Sequence, residues 1–270
     1  MSDAALYAKL RELQPDLMVY IGSRWGVQPS TATLARINAQ VAPSVHICSD
    51  AADPPWWDLL REYHEAGAFA LQVAIDGNDQ WPGAQNGLTL LTPIDAKHFG
   101  NGATPHVARA VACGYAGNQG AVGGNRNMVL QEVAFYNLVT MRLRDDAPGS
   151  YEAMCAFLCD SRMSLNIPYS GTETVFQVKG RVVESGLAGS CLLEVAGSPT
   201  NKWFTPGVDY LEYDSMPMCR ELIVKLREDR EQTERIGASL RRRALAEHSP
   251  AVFWGKVLEK IGMTGRKAAA

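Results

Sequence analysis

The sequence predicts an α/β fold, and three observations carry that expectation. Short apolar runs alternate with segments of helical period along the chain. The runs are rich in Val, Ile and aromatic residues, which suit strands. They are also apolar throughout rather than at every second residue, the pattern of strands covered on both faces. Alternation of this kind calls for parallel strands with crossover helices.

Taken in order, the chain opens on the helix LYAKLREL and then PDLMVYIGS. LMVYIG (17–22), VHIC (45–48) and AFALQVA (68–74) read as strands, with helices over 31–40 and 56–66 between them. Residues 76–106 are dense in Gly, Pro, Asn and Asp, and only LTLL inside them resembles a strand, so this stretch reads as an interdomain connection. Beyond it, VACGYAG (111–117), RMSLNI (162–167), SCLLEV (190–195) and VDYLEY (208–213) repeat the strand pattern. Helices are expected over 127–140, 151–159, 176–188 and 217–227. From 217 onward the chain is helical and charged, with SLRRRALAEH and a Pro250-started AVFWGKVLEKIG whose Phe253 and Trp254 are expected to pack back on the first domain. Only GRKAAA reads as frayed. The expected domains are 1–100, 101–248 and a C-terminal helix with its tail, 249–270.

Composition narrows the function classes. Of 270 residues, 46% are hydrophobic and 20% charged, enough to bury a core and too apolar for a disordered polymer. A net charge of −3 gives no reason to expect nucleic acid or an anionic membrane as partner. No apolar run approaches the ~20 residues of a membrane helix, and the N-terminus lacks a signal peptide's apolar stretch. The six cysteines, at 48, 113, 155, 159, 191 and 219, show no disulfide-framework spacing. A cytoplasmic protein without a transmembrane segment is expected.

Three features are candidates for chemistry. The first is GYAGNQGAVGG (114–124), a Gly-rich turn between a strand and a helix. Its backbone N–H groups can crowd around an anion at the start of that helix, including those near Gly117 and Asn118. It reads equally well as a plain βα loop, because its glycine spacing is not the dinucleotide fingerprint and no ribose-binding acid follows.

The second is the turn Tyr169-Ser-Gly-Thr-Glu173, with Gly171 and Thr172 at its centre, leading into VFQVKGRVVESGLAG (175–189). Lys179 and Arg181 near a helix start suit a diphosphate, and Glu184 one turn on can accept from a ribose diol. The competing reading is a solvated helix face with a weak ion-pair ladder. The third is Asp50, after the VHICS strand, as a general base or sugar-hydroxyl acceptor; Asp53 reads better as a cap for the Trp56 helix. Asp76-Gly-Asn-Asp79 reads as a turn, and the Cys155/Cys159 pair and the five scattered histidines form no metal motif.

The second half resembles the C-terminal region of GT-B-fold glycosyltransferases, in the group-1, spore-maturation-type branch. The elements that carry the likeness are Lys179, Arg181 and Glu184; Gly189; CLLE; Phe204-Thr-Pro-Gly207; YLEY; CRELIVKL; and RRRALAEHS. Upstream, TPIDAKHF (92–99) is similar to the linker between the two domains, and ACGYAGNQG with NRNMVL to the opening of the nucleotide-binding one. The resemblance implies two Rossmann-like domains, the N-terminal one minimal or truncated, with C-terminal helices packing back.

It further implies a hexosyltransferase that uses a nucleotide-sugar as co-substrate, held in the interdomain cleft, with an unidentified glycan, lipid or protein acceptor. Glu184 then grips the ribose, Lys179 and Arg181 neutralise the diphosphate, and Gly117, Asn118, Gly171 and Thr172 lie against the nucleotide-sugar. Asp50 serves as the acceptor-side base. Charge that builds on the leaving diphosphate is stabilised by fixed cations and helix N-termini, without metal or cofactor. Phe176 stands where many retaining relatives carry a further Glu, and Glu173 is the nearest acid. Two other readings are a catalytically inactive binding or partner protein of the same fold and a nicotinamide-dependent oxidoreductase.

Overall fold

The computed structural model describes residues 2–22, 28–100, 102–143 and 150–263, and the expected fraying of GRKAAA lies outside the described residues. The chain divides into two compact units, Met1–Leu91 with Ala251–Ala270, and Thr92–Pro250.

In the first unit, α1 (Asp3–Leu13) begins at Ser2, whose Oγ accepts from the Ala5 N–H. Then follow β1 (Met18–Ile21), α2 (Thr31–Gln40), β2 (Ser44–Cys48), α3 (Trp57–Glu65), β3 (Leu71–Ala74) and β4 (Leu88–Thr89). All four strands are parallel, in the order β1-β2-β3-β4. β2 and β3 are buried along their whole length, including the polar Ser44, His46 and Gln72. LTLL is therefore not part of a connection: Leu88 and Thr89 pair with Val73 and Ala74 as the fourth strand of this sheet. The strand that LTLL resembles is present, but two residues cannot show which sheet they join.

The second unit contains β5 (Val111–Gly117), α4 (Asn125–Phe135), β6 (Thr140–Leu143), α5 (Tyr151–Cys159), β7 (Ser161–Leu165), α6 (Gly180–Leu187), β8 (Cys191–Val195), β9 (Leu211–Tyr213), α7 (Met216–Glu228) and α8 (Arg230–Glu247). Its sheet is parallel throughout, in the order β6-β5-β7-β8-β9. The winding direction reverses between β5 and β7, and such a switch opens a crevice outside the carboxyl ends of the two strands. Cys113, Met163, Leu165 and Leu193 from the sheet pack with Ile223 and Ile236 from α7 and α8.

Two expected helices are shorter than their periodicity suggested. α4 stops at Phe135 because Asn137 takes a left-handed φ of 51°. Leu138 and Val139 then lead into β6, a strand the sequence reading does not assign and of which only Thr140 falls in the expected helix. α6 starts at Gly180 rather than 176, since Phe176 forms an antiparallel bridge with Tyr169 and the Gln177 N–H donates to Pro168. That extended stretch moves Lys179 and Arg181 to the very beginning of the helix.

The last helix, α9 (Pro250–Lys260), returns to the first unit. Phe253 and Val257 are buried with Val45, Leu71 and Val73, and Trp254 packs beside them. All six cysteines are free and buried. Among the described residues no helix is long and apolar enough to cross a membrane.

Candidate functional site

At the switch between β5 and β7 lies a cavity of 370 Å³. Tyr115 to Asn118, from the end of β5, form one wall, and Asn166 and Ile167, just past β7, form another. The start of α6 supplies Lys179, Gly180, Arg181 and Glu184, and Arg126 comes from α4. Of the predicted residues, Gly117, Asn118, Lys179, Arg181 and Glu184 thus share one cavity.

The chemistry of α6 follows from where it begins. Lys179 is its N-cap, and a lysine offers no acceptor, so the cap residue's side chain leaves the first N–H groups open. Those groups, the helix dipole and two cations give this end of the cavity a positive field. Lys179 Nζ donates to Gln177 Oε1. Arg181 donates to Glu184 Oε2 at 2.7 Å, and the two side chains keep only 14% and 11% of their surface exposed. The pair is thus nearly buried, unlike the solvated ladder that charge runs usually form. Glu184 Oε1 accepts from the Tyr151 hydroxyl at 3.1 Å. Burial and the adjoining Glu184 carboxylate raise the Tyr151 pKa, so the hydroxyl keeps its proton. With two lone pairs on each oxygen, Glu184 can still accept from a ligand diol.

The Gly-rich loop departs from its expected role. Asn118 Oδ1 accepts from the Gly120 N–H at 2.7 Å, and the Asn118 carbonyl accepts from Tyr115 Oη at 2.6 Å, so much of its bonding capacity serves the loop itself. Gly120 sits at φ 79°, a conformation that only glycine adopts without strain. The N-terminus of α4, where an anion was expected, already holds one: Glu173 accepts from the Asn125 N–H, and from Arg126 N–H at 3.4 Å. A Cβ on Gly124 would come within 2.7 Å of that carboxylate, so glycine here makes room for it.

Other predicted residues lie elsewhere. Gly171 and Thr172 are exposed and are not among the cavity's lining residues. Asp50 is half-buried just past β2 in the first unit, where its Oδ2 accepts from Ser49 Oγ at 3.3 Å. Asp53 takes the expected N-cap position before Pro54, yet makes no capping bond with its side chain.

Sequence reading missed Tyr115, Arg126, Tyr151 and Asn166. Tyr115 and Asn166 stand at or just past strand ends, and only the strand order shows that β5 and β7 are neighbours at the switch.

A larger cavity of 620 Å³ lies between α8 and residues 102–109. Two of its three arginines are spent on the backbone, and the third, Arg242, donates to Ser239 Oγ at 3.1 Å. Arg109 donates to the carbonyls of Thr104, Ser161 and Gly102, and Arg241 to that of Leu187. The smaller cavity is the one whose polar groups converge.

Comparison with known proteins bears on the fold and the family. No curated protein matches the sequence. Solved structures do match in fold. HepE from Anabaena, in complex with UDP and glucose, aligns with a TM-score of 0.62 at 12% identity, over 96% of this chain and 81% of that one. Sucrose-phosphate synthase from Thermosynechococcus elongatus aligns at 0.64 and 13%, over 96% and 77%. The α,α-trehalose 6-phosphate synthase from Burkholderia multivorans gives 0.62 and 11%, over 96% and 74%. These are GT-B folds. A family model described as glycosyl transferase-like matches residues 106–259, more than half of the sequence and the whole of the unit's sheet. With that match and a parallel sheet whose switch point carries the cavity, the chain belongs to this family of GT-B glycosyltransferases.

Proposed function

We propose that the protein transfers a hexosyl group from a nucleotide-sugar to an acceptor, and that the β5/β7 cavity holds the nucleotide. The observation that carries this reading is the convergence of an uncapped helix start, Lys179, Arg181 and Glu184 at a sheet switch point. UDP is the favoured nucleotide, since the HepE structure contains it. Arg181 and Lys179 face the diphosphate, and Glu184 accepts from the ribose diol. As the glycosidic bond to the diphosphate breaks, negative charge grows on the leaving oxygens. Fixed cations and backbone donors stabilise that charge more in the transition state than in the bound substrate. In this reading no metal takes part.

Asp50 is proposed as the acceptor-side base, taking a proton from an incoming hydroxyl. The acceptor is a glycan, lipid or protein hydroxyl, and six free thiols suit a cytoplasmic setting.

The test is a donor panel on purified protein, read as release of free nucleoside diphosphate, with and without EDTA. UDP or another nucleoside diphosphate is expected to stabilise the protein in proportion to the logarithm of its concentration. Binding without release in the presence of varied acceptors would mark a nucleotide-sugar binder instead. A stabilisation by NAD(P) alone would overturn the reading.

A further inference from the structure

One buried acid in the second unit is not used above. Glu194, near the end of β8, has no exposed surface. Its Oε1 accepts from the Val195 N–H at 2.9 Å, and its Oε2 accepts from Thr200 Oγ1 at 3.2 Å and Asn166 Nδ2 at 2.7 Å. Asn166 is itself only 3% exposed and lines the cavity. An ionised carboxylate only accepts hydrogen bonds, so it turns the amide nitrogen of Asn166 toward itself. The amide oxygen is left as the other end, and among the described residues no group donates to it.

We propose that Asn166 is a specificity-determining residue that presents its amide oxygen to a hydrogen-bond donor of the bound nucleotide, and that Glu194 is the positioning residue that fixes this orientation. The proposal rests on the cavity being the nucleotide site. The ligand group is an N–H of the base or a hydroxyl of its ribose, both of which need an acceptor.

The environment of Glu194 makes the arrangement sensitive to protonation. Burial pushes its carboxyl up to about 7 against the opposing effect of its three hydrogen bonds. Glu212, its cross-strand partner on β9, raises it further, and the Tyr210 hydroxyl beside that pair donates to Glu212 at 2.9 Å. The other titratable groups that face it are Tyr210 and Tyr213, which supply no positive charge. A protonated Glu194 becomes a donor toward Asn166 and lets the amide turn over, so that NH₂ rather than oxygen meets the ligand. Glu194→Gln imitates that state at every pH: its carbonyl can keep the Val195 N–H, and its NH₂ then faces Asn166.

The experiment is calorimetric titration of the full chain with UDP from pH 5.5 to 8.5, in wild type, Glu194→Gln and Glu194→Asp. Wild type is expected to bind about tenfold more tightly at pH 8.5 than Glu194→Gln. The gap should close as pH falls below about 7, because wild type joins the variant. Glu194→Asp keeps the charge and should recover part of the gap. N3-methyl-UDP and 2′-deoxy-UDP then locate the contact: the analogue lacking the relevant donor binds wild type and Glu194→Gln alike. Equal UDP affinity and equal pH dependence in wild type and Glu194→Gln, both folded by circular dichroism, would overturn the proposal while leaving the nucleotide site standing. Absence of binding by UDP, GDP and ADP to wild type would overturn both.

Discussion

Two helices of the second unit begin beside the same loop system and meet their N-termini differently. α4 has its first amide groups closed by Glu173, delivered from residues 169–173 into the space left by Gly124. α6 has Lys179 at the cap position, whose side chain offers its amides no acceptor. Both sequences announce an anion-binding helix start, a Gly-rich turn in one case and a Lys/Arg cluster in the other. One of the two is satisfied from within the chain, and the other is left to a ligand. A helix N-terminus therefore says that an anion is wanted, while the nearest carboxylate decides whether the chain itself supplies it.

The largest expected effect is at α6. Arg181→Ala removes a charge-assisted donor and leaves the Glu184 carboxylate buried without its cation. UDP affinity should fall by about 100-fold in calorimetry, in line with the roughly 1.5–3 kcal/mol of a hydrogen bond to a charged group. An unchanged affinity would move the nucleotide away from this helix. Lys179→Ala is expected to lower turnover by about tenfold while KM changes less than threefold, because its charge matters most as the diphosphate departs. Equal losses in binding and turnover would make it an ordinary ground-state contact.

The converse experiment is Glu173→Gln at α4. Removing the cap charge should cost about 1 kcal/mol of stability in urea unfolding, with UDP affinity within threefold of wild type. If UDP instead bound more tightly, Glu173 would be competing with the ligand, and the division between the two helices would fail.

Glu194 extends the comparison to a carboxylate with neither a cation nor a helix end. An unfolded glutamate loses its proton near 4.5, and the folded one near 7. Between those values the folded chain holds the extra proton, so stability falls as pH rises through that window and then levels off. Glu194→Gln removes this fall. The variant's melting temperature relative to wild type should rise by a few degrees from pH 5 to 8. A difference that is flat with pH would mean that Glu194 loses its proton at the same pH in the folded chain as in the unfolded one.

Much of this was legible in the chain. Runs buried throughout β2 and β3 and over most of β8 reveal parallel strands, and Lys179, Arg181 and Glu184 can be read as a set because they lie at the start of one short helix. What was hidden depends on tertiary neighbours. LTLL reads as a strand, but nothing local says that it joins the first sheet, and β6 follows a helix with only Asn137 to mark the break. Glu173 looked like part of a polar turn, since nothing local says that its side chain reaches residues 125 and 126, some 47 positions away. Asn166 and Glu194 are 28 residues apart and meet only because β7 and β8 are adjacent.

The path of α9 has a bearing on biosynthesis. Because Phe253 and Val257 complete a hydrophobic layer begun by Val45 and Leu71, the first unit is discontinuous in sequence. A chain emerging from the ribosome exposes that layer until residues 253–257 have been made. The intervening unit has every strand of its sheet long before then. The second unit can thus complete its sheet before the first unit does, and a nonsense codon shortly before Phe253 would leave β2 and β3 with an open apolar face.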